Sequence, residues 1–268
     1  MRGRLPARPL GEIADAAVRV FTAKGFRAAG ISDVAAALGL SHGAVYTYAD
    51  SKQALLYLAL VRVLDPAGFE LLEIPVTAPS AEEVVERVRT WAATQANISA
   101  LGESLRHPRP GPSAAGSGAR SPLESPLESA AESVVESVVE SVVEQELQVI
   151  VDALYGLLEH NRTALQLVEQ CSAELPELAQ WYFVENRRAV LALLGEFLRA
   201  RIDAGLLPPV PNVPVAARFI VETIAWFAMH RHGDPDSAML SDEDCRRTVR
   251  HLVPSAFLPP GSAPHIPT

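Results

Sequence analysis

A tight turn at Gly39-Leu40, set between two short helical blocks, leaves the N-terminal part of this chain few ways to fold. Ahead of it, Ile31 to Leu38 places Val34, Ala35 and Leu38 on one inward face, with Gly30 acceptable as the N-cap. Behind it, Ser41 caps a block running to about Tyr48, and Ser51 caps another from Lys52 to about Leu64 that Pro66 ends. Upstream, Leu10, Ile13, Ala14, Ala17, Val18 and Phe21 recur at the spacing of one buried helical face, and Gly25 stops that helix because glycine enters the left-handed cap without penalty. Three short helices with a glycine-containing turn between the second and third make the helix-turn-helix layout.

The run Gly30-Ile31-Ser32-Asp33-Val34-Ala35-Ala36-Ala37-Leu38-Gly39-Leu40-Ser41-His42-Gly43-Ala44-Val45-Tyr46-Thr47-Tyr48-Ala49-Asp50-Ser51-Lys52-Gln53-Ala54-Leu55 resembles the signature of the tetracycline-repressor (TetR) family of transcriptional regulators. Ala17 to Phe26 resembles that family's first helix, so the resemblance covers residues 10 to 60. Two positions depart from it: Gly30 stands where Thr or Ser is usual, and Ala49 where an aromatic is common. The resemblance implies an all-α protein, with an N-terminal three-helix helix-turn-helix DNA-binding domain over residues 1–65. A C-terminal helical bundle over 66–256 would bind ligand and dimerise.

The exposed positions of the third helix read as Ser41, His42, Gly43, Ala44, Tyr46, Thr47 and Tyr48. Carried over position by position, the resemblance implies that His42, Gly43, Ala44 and Tyr46 face bases, that Thr47, Tyr48 and Lys52 face phosphate, and that Ser32 lies near the groove edge. A helix fits the major groove, where residues near its start reach base edges while phosphate contacts set the register. Gly43 lets the backbone approach, Ala44 offers a methyl group to thymine, and the amides after Ser51 form an anion seat beside Lys52. The bland alternatives are core roles for Val45 and Tyr46 and a merely solvated His42. Arg2, Arg4 and Arg8 read either as a basic arm or as ordinary terminal charge.

The net charge of -9 is unevenly spread. Residues 1–64 carry eight Lys/Arg against four acids, a net of +4, which leaves -13 on the remainder. A basic head can approach phosphate while an acidic body stays off it. Cys171 and Cys245 lie far apart without ligand spacing, so neither a disulfide framework nor a metal site is indicated. No apolar run is long enough to span a bilayer, and the basic N-terminus lacks a following apolar stretch, so a cytoplasmic protein with no membrane partner is expected.

In the body, Ser80-Ala81-Glu82-Glu83 is a capping box before a helix with Val84, Val88, Trp91, Gln95 and Ile98 on one face. Residues 102–132 read as an insertion without fixed structure, because their Gly, Pro and Ser content buries too little. Ser-Pro-Leu-Glu copies there lead into Ser-Val-Val-Glu copies from Ser133 to Glu144, whose period of four permits a helix. Further helices are expected from Gln145, over Asn161 to Ser172, and from Pro176 to Gly205. One more lies after Pro214, and a last one over Asp242 to Leu252, with a disordered tail over 257–268. Phe219 to Met229 is apolar nearly all round, for which a partner subunit is the natural cover. Trp91, Gln95, Tyr155, Trp181, Phe183, Trp226 and Met229, large groups on inward stripes, are the candidate effector-pocket residues, with ordinary core packing as the alternative.

The resemblance implies a ligand-responsive regulator, more commonly a repressor, that binds an inverted-repeat operator in double-stranded DNA as a homodimer. A small-molecule effector would release it. No phosphate-cradling loop, nucleophile elbow or metal-ligand cluster points to an enzyme, and no cofactor is indicated. A helical scaffold whose head binds protein is the rival from another class, and salt-dependent binding of duplex DNA separates the two.

Overall fold

The structure, a computed structural model, describes residues 8–94, 126–172, 175–237 and 239–258, with side chains from residue 142 onward in the helix that begins at Pro126. Among the described residues it is all-α, with one isolated bridge between Ala49 and Val76 and no strand. The chain divides into two compact units, residues 1–97 with 161–188 and residues 98–160 with 189–268.

The first unit contains α1 (Leu10–Ala28), α2 (Ile31–Leu38), α3 (His42–Val45), α4 (Lys52–Leu64), α5 (Pro66–Phe69) and α6 (Ala81–Thr94). It is completed by α8 (Arg162–Ser172), α9 (Pro176–Ala179) and a π-helical segment, Gln180–Arg187. Ile13, Ala14, Ala17 and Phe21 of α1 are buried, and α1 packs on α2, α4 and α8. Gly25 does not end α1 outright: its φ of 75 breaks the helix, which then runs on to Ala28. The capping box forms as expected, with Glu83 N–H donating to Ser80 Oγ and Ser80 N–H to the Glu83 carboxylate.

The second unit is built on α7 (Pro126–His160), against which α11 (Val213–Ala228) and α12 (Asp242–Ser255) pack. These two helices also pack on each other, and α10 (Arg188–Asp203) adds Leu194, Phe197 and Leu198 to their core. Two expectations are corrected here. The fixed helix already starts at Pro126, within the stretch 102–132 read as unstructured, because proline is tolerated in a first helical turn; residues 102–125 lie outside the described ones. The tail 257–268 is not wholly free either: Phe257 and Leu258 are buried in this core, and residues 259–268 lie outside the described ones.

Two arginines are enclosed in this unit, Arg201 largely and Arg231 wholly. Arg201 donates Nε and Nη2 to the two oxygens of Glu146 at 2.8 Å each, with side-chain exposures of only 12% and 9%. Arg231, 1% exposed, donates Nε to the Phe227 carbonyl and Nη1 to the Leu240 carbonyl, both at 2.8 Å, and pairs with Asp242. Arg231 thereby ties the end of α11 to the start of α12.

Removing one member of a buried pair strands the other charge. Arg201→Ala is expected to destabilise the fold by about 3 kcal/mol. Replacing both partners by apolar residues, as in Arg201→Met with Glu146→Leu, should recover most of that loss, read from urea denaturation followed by circular dichroism.

Candidate nucleic-acid interface

The turn between α2 and α3 is closed by Gly39 in the left-handed conformation, φ 67, whose N–H donates to Ala36 O while Leu40 N–H donates to Ala35 O. At the other end of α2, which has no side chain on its N-cap, Asp33 reaches back to accept from Gly30 N–H at 2.7 Å and takes a second bond from Lys24 Nζ at 2.7 Å. The Lys24 bond first, and then the Gly30 amide, hold the Asp33 carboxyl below its ordinary value.

α3 is a single turn, shorter than the block from the Ser41 cap to about Tyr48 that the sequence predicts. Ser41 occupies its N-cap position but makes no side-chain cap bond; Ala44 N–H donates to the Ser41 carbonyl instead. Val45 is wholly buried, as the core alternative for it holds. His42 and Tyr46 are exposed and stack edge to face, with ring centroids 5.3 Å apart. Ser32, Ser41, Gly43 and Thr47 are exposed with them, and Ala44 is half-buried. Thr47 returns its hydroxyl proton to Ala44 O at 2.7 Å.

Tyr48 requires a correction. It is 1% exposed, so its ring belongs to the core and not to the surface. Its hydroxyl accepts from Arg8 N–H at 2.8 Å and donates to Arg8 O at 3.2 Å, tying the end of the helix-turn-helix to the entry of α1. The helix stops at Val45, and Tyr48, three residues on, shares the buried side of Val45.

Lys52 opens α4, where Ser51 Oγ accepts from Ala54 N–H at 3.1 Å. Its ammonium lies 4.4 Å from the centre of the Phe26 ring and donates to Arg27 O at 3.3 Å. The sequence reading missed Phe26 and Arg27 as supports of Lys52; the signal available was their place directly after a helix-breaking glycine. Of the basic arm, Arg8 pairs with Glu12 at 2.7 Å, while Arg2 and Arg4 lie outside the described residues.

The seven candidate pocket residues do not form one described group. Trp91 and Trp181 are buried in the first unit, on α6 and the π-helical segment, where Phe183 is 37% exposed. Tyr155 and Met229 are buried in the second unit, with Tyr155 donating its hydroxyl to Phe227 O at 3.4 Å; Trp226 there is 43% exposed. Gln95 lies outside the described residues. Among the described residues, no cluster of His, Cys, Asp and Glu could hold a metal ion, and no helix is long and apolar enough to cross a membrane.

Two outcomes test this geometry. Tyr48→Phe should lower the stability of the first unit by about 1–2 kcal/mol while leaving the salt dependence of any DNA binding unchanged, since a buried hydroxyl meets no phosphate. A carboxylate whose folded value is depressed stabilises the fold above its unfolded value, and that contribution is lost as pH falls through the folded one. Asp33→Asn should therefore remove part of the acid limb in thermal melts recorded against pH.

A model of the family described as bacterial regulatory proteins, tetR family, matches residues 13–57. No curated protein matches the chain. Among solved structures, a bacterial regulatory protein in the tetR family from Rhodococcus RHA1 is similar at 17% identity, TM-score 0.46, over 93% of this chain and 96% of that one. The transcriptional regulator FadR from Bacillus subtilis, in complex with stearoyl-CoA, is similar at 17% identity, TM-score 0.40, over 91% and 97%. The TetR family transcriptional regulator PfmR from Thermus thermophilus is similar at 19% identity, TM-score 0.41, over 91% and 97%. The matched segment runs from the first turn of α1 into α4, so the similarity to the tetR family of bacterial regulatory proteins lies in the helix-turn-helix head of this chain.

Proposed function

We propose that this chain is a non-enzymatic, ligand-responsive transcriptional repressor of the cytoplasm, which occupies an inverted-repeat operator as a homodimer and leaves it when a small molecule binds. Residues 1–65 carry the DNA contact, and residues 66–256 carry effector binding and dimerisation. The observation that carries the reading is the outer face of α3. His42 and Gly43 on this one-turn helix, and Tyr46 and Thr47 in the turn after it, all stand exposed, while Val45 between them is wholly buried. Nothing in the packing of the first unit needs a histidine and a tyrosine stacked in water, whereas base edges and phosphates offer both of them partners.

Dimerisation is supported by a second surface. On α11, Val215, Phe219 and Trp226 are 65%, 50% and 43% exposed, and on the neighbouring α12 Leu252 is 57% exposed. Positions 215, 219 and 226 share one helical face, so the exposure forms a stripe and not a scatter. A second copy of the same two helices would cover it, and a two-fold axis would carry two α3 helices into successive major grooves. The effector need only bind the non-operator-fitting arrangement better, because differential affinity is what moves the population.

The test is selection of bound duplexes from a random-sequence pool with the purified full chain, together with its mass by light scattering. The expected outcome is a dimer that recovers an inverted repeat with half-sites about 34–36 Å, or a multiple, apart. A strictly monomeric protein, or one indifferent to every duplex at low ionic strength, overturns the reading and favours a protein-binding scaffold.

A further inference from the structure

We propose that Gln170, on α8 and outside the segment that carries the helix-turn-helix, is a positioning residue for the contact between Lys52 and a DNA phosphate, acting through the break in α1 at Gly25. The inference rests on the DNA-binding reading above and adds to it a residue that touches no nucleic acid.

The break is the starting point. Gly25 has φ 75, which residues with a side chain rarely adopt. A Cβ built on it would lie 2.8 Å from Gln170 Oε1, so the Gln170 amide fills the space that the missing side chain leaves. α8, which carries Gln170, packs on both α1 and α4. At this glycine the backbone carbonyl accepts from Ala29 N–H at 3.1 Å, and the Gln170 side chain closes the space on the Cα side.

The two residues after the break are the ones that hold Lys52. Phe26 is 6% exposed, its ring 5.6 Å from that of Phe21. The Lys52 ammonium sits 4.4 Å from the centre of the Phe26 ring and donates to the carbonyl of Arg27 at 3.3 Å. An ammonium has three donors, so one bond to a carbonyl leaves two for a phosphate. Both supports are uncharged groups, so they locate the ammonium without an ion pair, although the Asp33 carboxylate lies within its electrostatic reach. A lysine free in water loses rotamer freedom when it meets a phosphate; one already held by a ring and a carbonyl has lost that freedom on folding. Gln170 thus bears on Lys52 through Gly25, Phe26 and Arg27, four residues that share one compact unit with it.

The experiment is a double-mutant cycle on the full chain, with affinity measured for a duplex recovered by selection with the unmodified protein. Lys52→Ala should weaken binding and make the plot of log affinity against log salt shallower by about 0.9. Gln170→Ala should weaken binding about fivefold when Lys52 is present, and less than about twofold in the Lys52→Ala background, the coupling expected of parts that act as a unit. It should also move the salt slope toward that of Lys52→Ala, which a merely structural role would not do. Equal losses in both backgrounds, or no loss with Lys52 present, overturn the proposal. Should Gln170→Ala not fold, Gln170→Met, which keeps the length and removes the amide, carries the same comparison. A wild-type chain that binds no duplex defeats the DNA-binding reading itself. One that binds with Lys52→Ala unaffected leaves that reading standing and defeats only the Gln170 proposal.

Discussion

A helix of four residues cannot hold itself in water, where isolated helices shorter than about 12–15 residues are marginal. Everything the head presents to solvent through α3 (His42–Val45) therefore depends on burial of the residues that flank and floor that single turn. Val45 is wholly buried and Tyr48 is 1% exposed. Beyond them the backbone is pinned by Val76, whose N–H donates to Tyr48 O at 2.7 Å and whose carbonyl accepts from Asp50 N–H at 3.1 Å. On the other side the left-handed Gly39 fixes the angle at which α3 leaves α2. His42, Tyr46 and Thr47 face water because Val45 and Tyr48 cannot.

This dependence explains what could and could not be read from the residues. The bounds of α2 and α4 were legible because a glycine turn, Ser51 and Pro66 punctuate them, and local chemistry decides such ends. Tyr48 was misread because the resemblance assigned it to phosphate, although it stands three residues after the buried Val45 and so falls on the same inward face. Its apolar ring with one polar tip is the type of side chain that can be buried if a partner for the hydroxyl exists, and Arg8 supplies one forty residues away. A partner at that separation leaves no local trace. Gly25 was legible as an interruption, but not as a break after which the helix continues to Ala28, since the neighbour at the break, Gln170, comes from another helix far along the chain.

The body was harder to read for a different reason. Amphipathic spacing marks an apolar face without saying what covers it. Trp91, Tyr155, Trp181 and Met229 are turned into their own units, whereas Trp226 is 43% exposed on the same α11 whose Ile220 and Ile224 are buried. Phe183 is half turned out because the segment Gln180–Arg187 is π-helical, and i to i+5 bonding shifts the faces that an α-helical count assigns. The enclosed arginines left no trace in the spacing either: Arg201 and Arg231 are held by Glu146 and by the carbonyls of Phe227 and Leu240.

Charge bookkeeping by segment then takes on a sharper meaning. Three arginines of the second unit are engaged along α7, Arg201 with Glu146, Arg246 with Glu159 and Arg250 with Asp152. In the head, Arg8 faces Glu12, Lys24 faces Asp33 and Arg62 faces Asp15, so each of these positive charges has a carboxylate beside it. Lys52 is held differently, by a peptide carbonyl and the face of a ring. Since salt screens exposed charges beyond about 8 Å at physiological ionic strength, a polyanion meeting this surface responds to local charge and not to the sum over the chain. A cation located by neutral groups has no ion pair to break at contact, although the Asp33 carboxylate lies within electrostatic reach of Lys52, whereas one located by a carboxylate must first give that partner up. The net +4 of residues 1–64 matters less for binding than the kind of neighbour that each cation has been given.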